Sequence, residues 1–241
     1  MGGGRRTTCC GAVTALLVTG TGTGVGKTVV TAAIAALAVA RGERVTVVKP
    51  AQTGEPDAGA GDATEVARLA GDVRTVELAR YPDPLSPEAA ARRSGREPLS
   101  LQEIAAAVRA ADATSDLVLV EGAGGLLVRY APDGLTMADV AAELGLPVVL
   151  VTAAGLGTLN ATALTVEAME WRGLRLHALV IGAWPWDAGL AEECNLDDLP
   201  VAAGAPLAGV VPDGAGSLAA QAFRELAADS LAPVLGGRWQ P

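Results

Sequence analysis

Short runs of Val, Leu and Ala alternate along this chain with stretches whose apolar residues recur every three or four positions. The first kind predicts strands buried on both faces, the second helices laid against them. Residues 12–19 are such a run and enter a glycine-rich turn. Residues 26–40 follow with Val29, Val30, Ala33, Ile34 and Leu37 at helical spacing, and Gly42 ends that helix. Residues 45–49 predict a second strand, closed by Pro50, which has no N–H to give to a ladder. After a loop at 54–61, Asp62 is expected to cap a helix to about Ala70, with Glu65 completing a box-like start. Residues 81–90, with three prolines, predict an irregular segment leading into a short helix. Ser100 and Glu103 form a capping box for the helix that follows. Strands are then expected at 116–121, 147–152, 176–181 and 207–211, and helices at 136–144, 158–171 and 217–231. Residues 182–206 are expected to be loop-rich. Strand and helix in alternation predict one α/β domain, 13–241, built on a doubly wound, mostly parallel sheet. Residues 1–12 are expected to be a disordered extension.

Composition narrows the function classes. Half of the 241 residues are hydrophobic but only 3% aromatic, so the core must be Ala, Val and Leu. A formal net charge of −9 argues against nucleic acid or an anionic membrane as partner. No stretch approaches about 18 uninterrupted apolar residues, so no transmembrane span is expected. Cys9, Cys10 and Cys194 are odd in number and lack CxxC spacing, which supports neither a disulfide framework nor a zinc site and fits a cytoplasmic location. His177, the only histidine, falls inside an apolar strand pattern and reads as structural. Of the 18 basic residues only Lys27 and Lys49 are lysines. Arginine is planar and always charged, whereas lysine is a compact charge whose pKa can move, so lysine is expected where arginine would fail.

Lys27 lies in GTGTGVGKT, residues 20–28. A strand, a turn with four glycines and Lys-Thr opening a helix make a polyphosphate cradle. Backbone N–H groups of Gly22, Thr23, Gly24, Val25, Gly26 and Val29 converge on the anion, Lys27 reaches the terminal phosphates, and Thr28 offers a hydroxyl to magnesium. The strict pattern has glycine where this chain has Thr21.

Lys49 lies in VVKPAQTG, residues 47–54, and Glu121 closes the buried run DLVLVE. Ligand sites in parallel sheets lie at the carboxyl ends of strands, so Lys49, Glu121 and the phosphate loop can meet there. Glu121 has the placement of a magnesium ligand or water-holding acid, and Asp62 could supply a second oxygen. Asp62 as a plain helix cap, Glu121 as an ordinary strand end, Lys49 as a solvated strand end, and Gln52 and Thr53 as turn formers remain open beside these readings.

GTGTGVGKT, VVKPAQTG, LVEGAGGLLV and AGLGTLNAT, in that order, resemble the dethiobiotin synthetases over roughly residues 14–215. The resemblance implies a magnesium-dependent ligase of biotin synthesis. 7,8-Diaminopelargonic acid takes up carbon dioxide as a carbamate, a nucleoside triphosphate such as ATP phosphorylates it, and the second amine closes the ureido ring. It further implies Lys27 on the transferring phosphoryl group and Lys49 on the carbamate, where a deprotonatable lysine would help manage protons. Thr28, Asp62 and Glu121 would hold Mg2+, and Thr23 and Thr53 would hydrogen-bond the carbamate end. Gly124 and Gly125 would admit the substrate closely, and Gly157, Leu159 and Asn160 would take its distant carboxylate across a homodimer interface. Gly182, Pro212 and Gly214 would border the nucleotide.

Departures from that family are also visible. Gly22 stands where members often carry an acidic residue, and GAWPWD (182–187) stands where an Asn often reads adenine, so CTP or another triphosphate is an open alternative. Two rivals share the phosphate loop. A cobyrinic acid diamide synthase-like synthetase usually brings a nucleophilic Cys with a His, and Cys194 has no His partner in sequence. A partition-type switch ATPase places a second lysine in the loop, where this chain has Gly22.

Overall fold

The computed structural model describes residues 15–55 and 59–240. In chain order the elements are β1 (Ala15–Gly20), α1 (Lys27–Ala40), β2 (Val45–Thr53), α2 (Asp62–Ala70), β3 (Arg74–Tyr81), α3 (Pro87–Ser94), α4 (Leu101–Asp112) and β4 (Leu117–Gly125). Then come α5 (Met137–Leu144), β5 (Val148–Thr152), α6 (Thr158–Trp171), β6 (Leu176–Trp184), α7 (Leu190–Ala203), β7 (Leu207–Pro212) and α8 (Ala220–Ser230). The strands form one sheet in the order β3-β2-β4-β1-β5-β6-β7. Every pair is parallel, so the expected mostly parallel sheet is entirely so.

Alternation along each strand sends neighbouring side chains to opposite layers. On β5, Val149 and Val151 join the cluster of α1, α2 and α8, and Val148 and Leu150 pack towards the helices of the other face. The central strands are therefore buried on both sides, as their uninterrupted apolar runs require. Among the described residues no helix is long and apolar enough to cross a membrane. The predicted extension, Cys9, Cys10 and residues 12–14 lie outside the described residues.

Four expectations need correction. β2 does not close at Pro50 but runs to Thr53, because its ladder with β4 stops at Val48↔Val120 and no longer asks for an N–H there. Pairing with β3 continues to Thr53↔Tyr81. β3 itself was not foreseen: it is an edge strand whose Arg74, Glu77 and Arg80 break the apolar pattern. Within 182–206, β6 runs on to Trp184 and α7 forms, although Pro200 lies inside the helix. The last helix starts at Ala220, after a 3-10 turn at Ala215–Ser217. By contrast, the Ser100–Glu103 capping box is present as read.

Candidate active site

β1 delivers the chain to Gly20 and the phosphate loop curls back to start α1 at Lys27. Gly24 (φ 75) and Gly26 (φ 91) occupy the left-handed backbone region that lets consecutive N–H groups face one concavity. Lys27 is buried and its Nζ donates to the Gly22 carbonyl at 2.8 Å, folding over the loop. Burial, helped by the charge of Lys49, holds the Lys27 pKa down to about 8.

Gly182 supports this loop from below. A Cβ there would run into the Val25 carbonyl and come within 2.5 Å of Val151 Cγ1, and a Cβ on Gly26 would strike the Gly182 carbonyl. Gly182→Ala must therefore push the loop off β6. ATP binding is expected to weaken at least tenfold, or about 1.4 kcal/mol, by titration calorimetry. Unchanged affinity would show that the loop tolerates the shift.

Lys49 and Glu121 sit one residue beyond the last β2–β4 rung, where the two strands part. Lys49 Nζ lies 2.9 Å from Glu121 Oε1, 2.5 Å from Asp62 Oδ2 and 3.4 Å from the Gly122 carbonyl. Burial alone would depress this ammonium's pKa, but Glu121 and Asp62 outweigh it and raise the pKa above the ordinary lysine value. The expectation of a deprotonatable Lys49 is thereby corrected: two carboxylates hold it charged. Thr28 Oγ1 donates to the same Glu121 oxygen at 2.8 Å. Glu121 Oε2 is buried and has no hydrogen-bond partner among the described residues.

Asp62 is the first residue of α2, not its cap. Gly61 holds the cap position, Glu65 pairs with Arg68, and the box-like start does not form. The Asp62 N–H instead donates to Gln52 Oε1 at 2.8 Å.

A cavity of about 670 Å³ opens above this cluster. Thr23, Gly24, Gly26, Lys27, Thr28, Val29, Lys49, Thr53, Asp62 and Gly124 all line it, together with residues 84–87 at the start of α3. Gly22, Val25 and Glu121 lie in or beneath the loop. Pro212 and Gly214 line a separate cleft of about 490 Å³ with Trp184 and Trp186, while Gly182 lies under the loop. Gly125 pairs with Gly20 at the edge of the site. Gly157, Leu159 and Asn160 do not line the main cavity; they open α6. Next to them Leu156, Leu164 and Trp171 are exposed, Leu156 by 92%.

Two residues of the site escaped sequence reasoning. Gln52, buried, aims Asp62 at Lys49; its only signal was a place beside Thr53. Tyr130 lies buried with its hydroxyl oxygen accepting the Ala123 N–H at 2.6 Å, which fixes the backbone leading into Gly124. Burial pushes its phenol up to about 12, so it stays protonated. His177 lies near the amino end of β6, away from the site, and Cys194 is exposed on α7.

A family model described as an AAA domain matches residues 14–220. The chain is 59% identical over 224 residues to a protein of Streptomyces coelicolor named ATP-dependent dethiobiotin synthetase BioD, covering 93% of this chain and 94% of that one. A protein of Saccharopolyspora erythraea with the same name is also 59% identical, over 93% and 98%. Among solved structures, the cell division ATPase MinD of Pyrococcus furiosus aligns with a TM-score of 0.58 at 18% identity, over 90% of this chain and 97% of that one. A ParA family ATPase of Chlorobium tepidum aligns at 0.57 and 13%, over 89% and 92%. These last two likenesses concern the fold alone.

Proposed function

The chain belongs to the ATP-dependent dethiobiotin synthetases, and from that membership we propose how its cavity carries out the ligase reaction of biotin synthesis. Lys49, held as an ammonium between Glu121 and Asp62 on the cavity floor, is the observation that carries the reading.

Diaminopelargonate bearing a carbamate brings an anion to the cavity. Lys49, set between Glu121 and Asp62, supplies positive charge to it. Thr23 and Thr53 hydrogen-bond the carbamate end. Tyr130, through the Ala123 amide, holds the Gly124–Gly125 backbone against the substrate. The carbamate oxygen attacks the γ-phosphorus of ATP, in line with the leaving ADP. Lys27 and the loop N–H groups stabilise the charge spread over the transferring phosphoryl oxygens. The second amine then attacks the carbamate carbon, the ring closes, and phosphate leaves with the activated oxygen and the proton that the amine gives up.

Thr28, Asp62 and Glu121 form the donor set for Mg2+. It is a set of hard oxygens, and the unpaired buried Glu121 Oε2 is an acceptor left for a cation. Among the described residues no three His, Cys, Asp or Glu side chains form a cage, which suits an ion that keeps waters and phosphate oxygens as its other ligands. When bound, magnesium offsets charge on the triphosphate.

The base of the nucleotide occupies the cleft of Trp184, Pro212 and Gly214. Gly157, Leu159 and Asn160 take the distant carboxylate of the substrate from a second copy of the chain. The exposed Leu156 in the turn before α6, with the exposed Leu164 and Trp171 seven residues apart on that helix, supports that homodimer. Binding the tail fixes the reacting amines without touching them.

The test is phosphate release with diaminopelargonate, bicarbonate and magnesium, run with ATP, CTP and GTP in parallel. Diamine-dependent release, highest with ATP, is expected. Release indifferent to the diamine would remove Lys49 and its neighbours from the proposed roles.

A further inference from the structure

A chain of threonine hydroxyls ties the phosphate loop to the turn at 153–157, which leads from β5 into α6. Thr152, the last residue of β5, is fully buried. Its Oγ1 lies 2.6 Å from Thr158 Oγ1, 2.8 Å from Thr162 Oγ1 and 3.3 Å from Thr21 Oγ1. Each hydroxyl has one proton to donate and two lone pairs to accept with.

That inventory fixes the direction of every bond. Thr158 Oγ1 donates to the Ala153 carbonyl at 2.7 Å, and a carbonyl can only accept. Thr158 must therefore accept from Thr152. Thr152, its proton used, must accept from both Thr21 and Thr162. The chain runs from Thr21 to Thr152 to Thr158 to the Ala153 carbonyl, with Thr162 joining at the hub. Thr152 donates once and accepts twice, which exhausts its capacity.

The turn is held from its other side by α7. Asn195, buried, donates through Nδ2 to the Ala154 carbonyl at 2.7 Å and the Gly155 carbonyl at 3.3 Å. The Thr21 N–H also donates to the Val151 carbonyl at 2.9 Å, so main chain and side chain anchor the loop to the same strand. A buried polar network with every member satisfied is rigid, and one with a member removed leaves donors stranded.

We infer that Thr152 is a positioning residue that fixes the phosphate loop and the 153–157 turn as one unit. Thr21, at the mouth of the loop, and Gly157 with Asn160, at the start of α6, take their relative places from one saturated hydroxyl. For the diamine the inference rests on the proposed tail contacts; for ATP it stands on the hydroxyl chain alone.

Thr152→Val keeps the branched shape and removes the relay. The variant is expected to raise KM for ATP and for the diamine at least fivefold each, with kcat within twofold of wild type. Thr152→Ser should restore both KM values to within twofold, because it returns the hydroxyl. Thr21→Val cuts only the link to the loop and should raise KM for ATP while leaving that for the diamine. Thr21 is partly exposed, so this variant also keeps the inference testable if Thr152→Val folds poorly. A purely structural role would lower the melting temperature and the active fraction and leave both KM values alone. An unchanged KM for ATP in Thr152→Val or Thr21→Val, or a serine variant that restores nothing, would overturn the inference. Asn160→Ala serves as the control: if its KM for the diamine is unchanged, the tail assignment fails, and the ATP values still decide the role of Thr152.

Discussion

Lys49→Arg, which preserves the charge, is expected to lower kcat by at least a thousandfold while ATP affinity stays within tenfold, or about 1.4 kcal/mol. The ammonium of Lys49 has three N–H groups and meets three acceptors: Glu121, Asp62 and the Gly122 carbonyl. Its side chain is only 3% exposed. A guanidinium is larger and planar, with donors in a rigid fork. To enter, it must displace Glu121, and Glu121 also holds Thr28 at the start of α1. The nucleotide is held mainly by loop amides and Lys27, so its binding should survive. Steady-state kinetics and titration calorimetry read the two quantities separately. Near-wild-type turnover in the arginine variant would mean that position 49 needs charge but not shape.

Glu121→Gln is expected to cost at least a hundredfold in activity and to raise the magnesium needed for half-maximal rate at least tenfold. The substitution is nearly isosteric but leaves Lys49, among the described residues, with Asp62 as its only carboxylate partner, and Asp62 is far more exposed than Glu121. Removing one partner of a buried ion pair costs roughly 3–5 kcal/mol, so the melting temperature should fall as well. The lost charge also leaves Lys27 and Lys49 repelling each other with less between them. A magnesium titration and a thermal melt separate the roles. A lower melting temperature with an unchanged magnesium requirement would keep Glu121 in the ion pair and take it out of the donor set.

The parts of the fold that could be read from sequence are those whose signal is local. The buried strands announce themselves by apolar runs, the phosphate loop by its glycines, and α4 by Ser100 and Glu103. β3 was hidden because an edge strand faces water and carries Arg74, Glu77 and Arg80 on what would otherwise be an apolar pattern. α7 was hidden because Pro200 argues against a helix and its apolar residues are spread around the axis, with Leu190 and Val201 exposed. In the site, Lys27 and Thr28 were named from the phosphate loop, Lys49 and Glu121 from their strand ends and Asp62 from the start of a helix, and the fold brings them together. What sequence could not supply was the state of Lys49, which depends on how closely two carboxylates from α2 and β4 approach it. Gln52 and Tyr130 were out of reach for a different reason: their partners stand only ten and seven residues away, but across irregular loops that carry no periodic signal.

That sheet order also constrains how the protein assembles during synthesis. Of the described strands β1 emerges first, yet its neighbours in the sheet are β4 and β5, which begin at Leu117 and Val148. Until β4 has left the ribosome, the strand that carries the phosphate loop has no partner on either edge and two apolar faces to shield, and until β5 follows one edge stays open. Pairings over such sequence separations are slow to close and expose the chain to aggregation meanwhile. The Thr21–Thr152 link comes with the end of β5 and the Gly26–Gly182 contact later still, so the phosphate loop gains its full support only when β6 arrives beneath it.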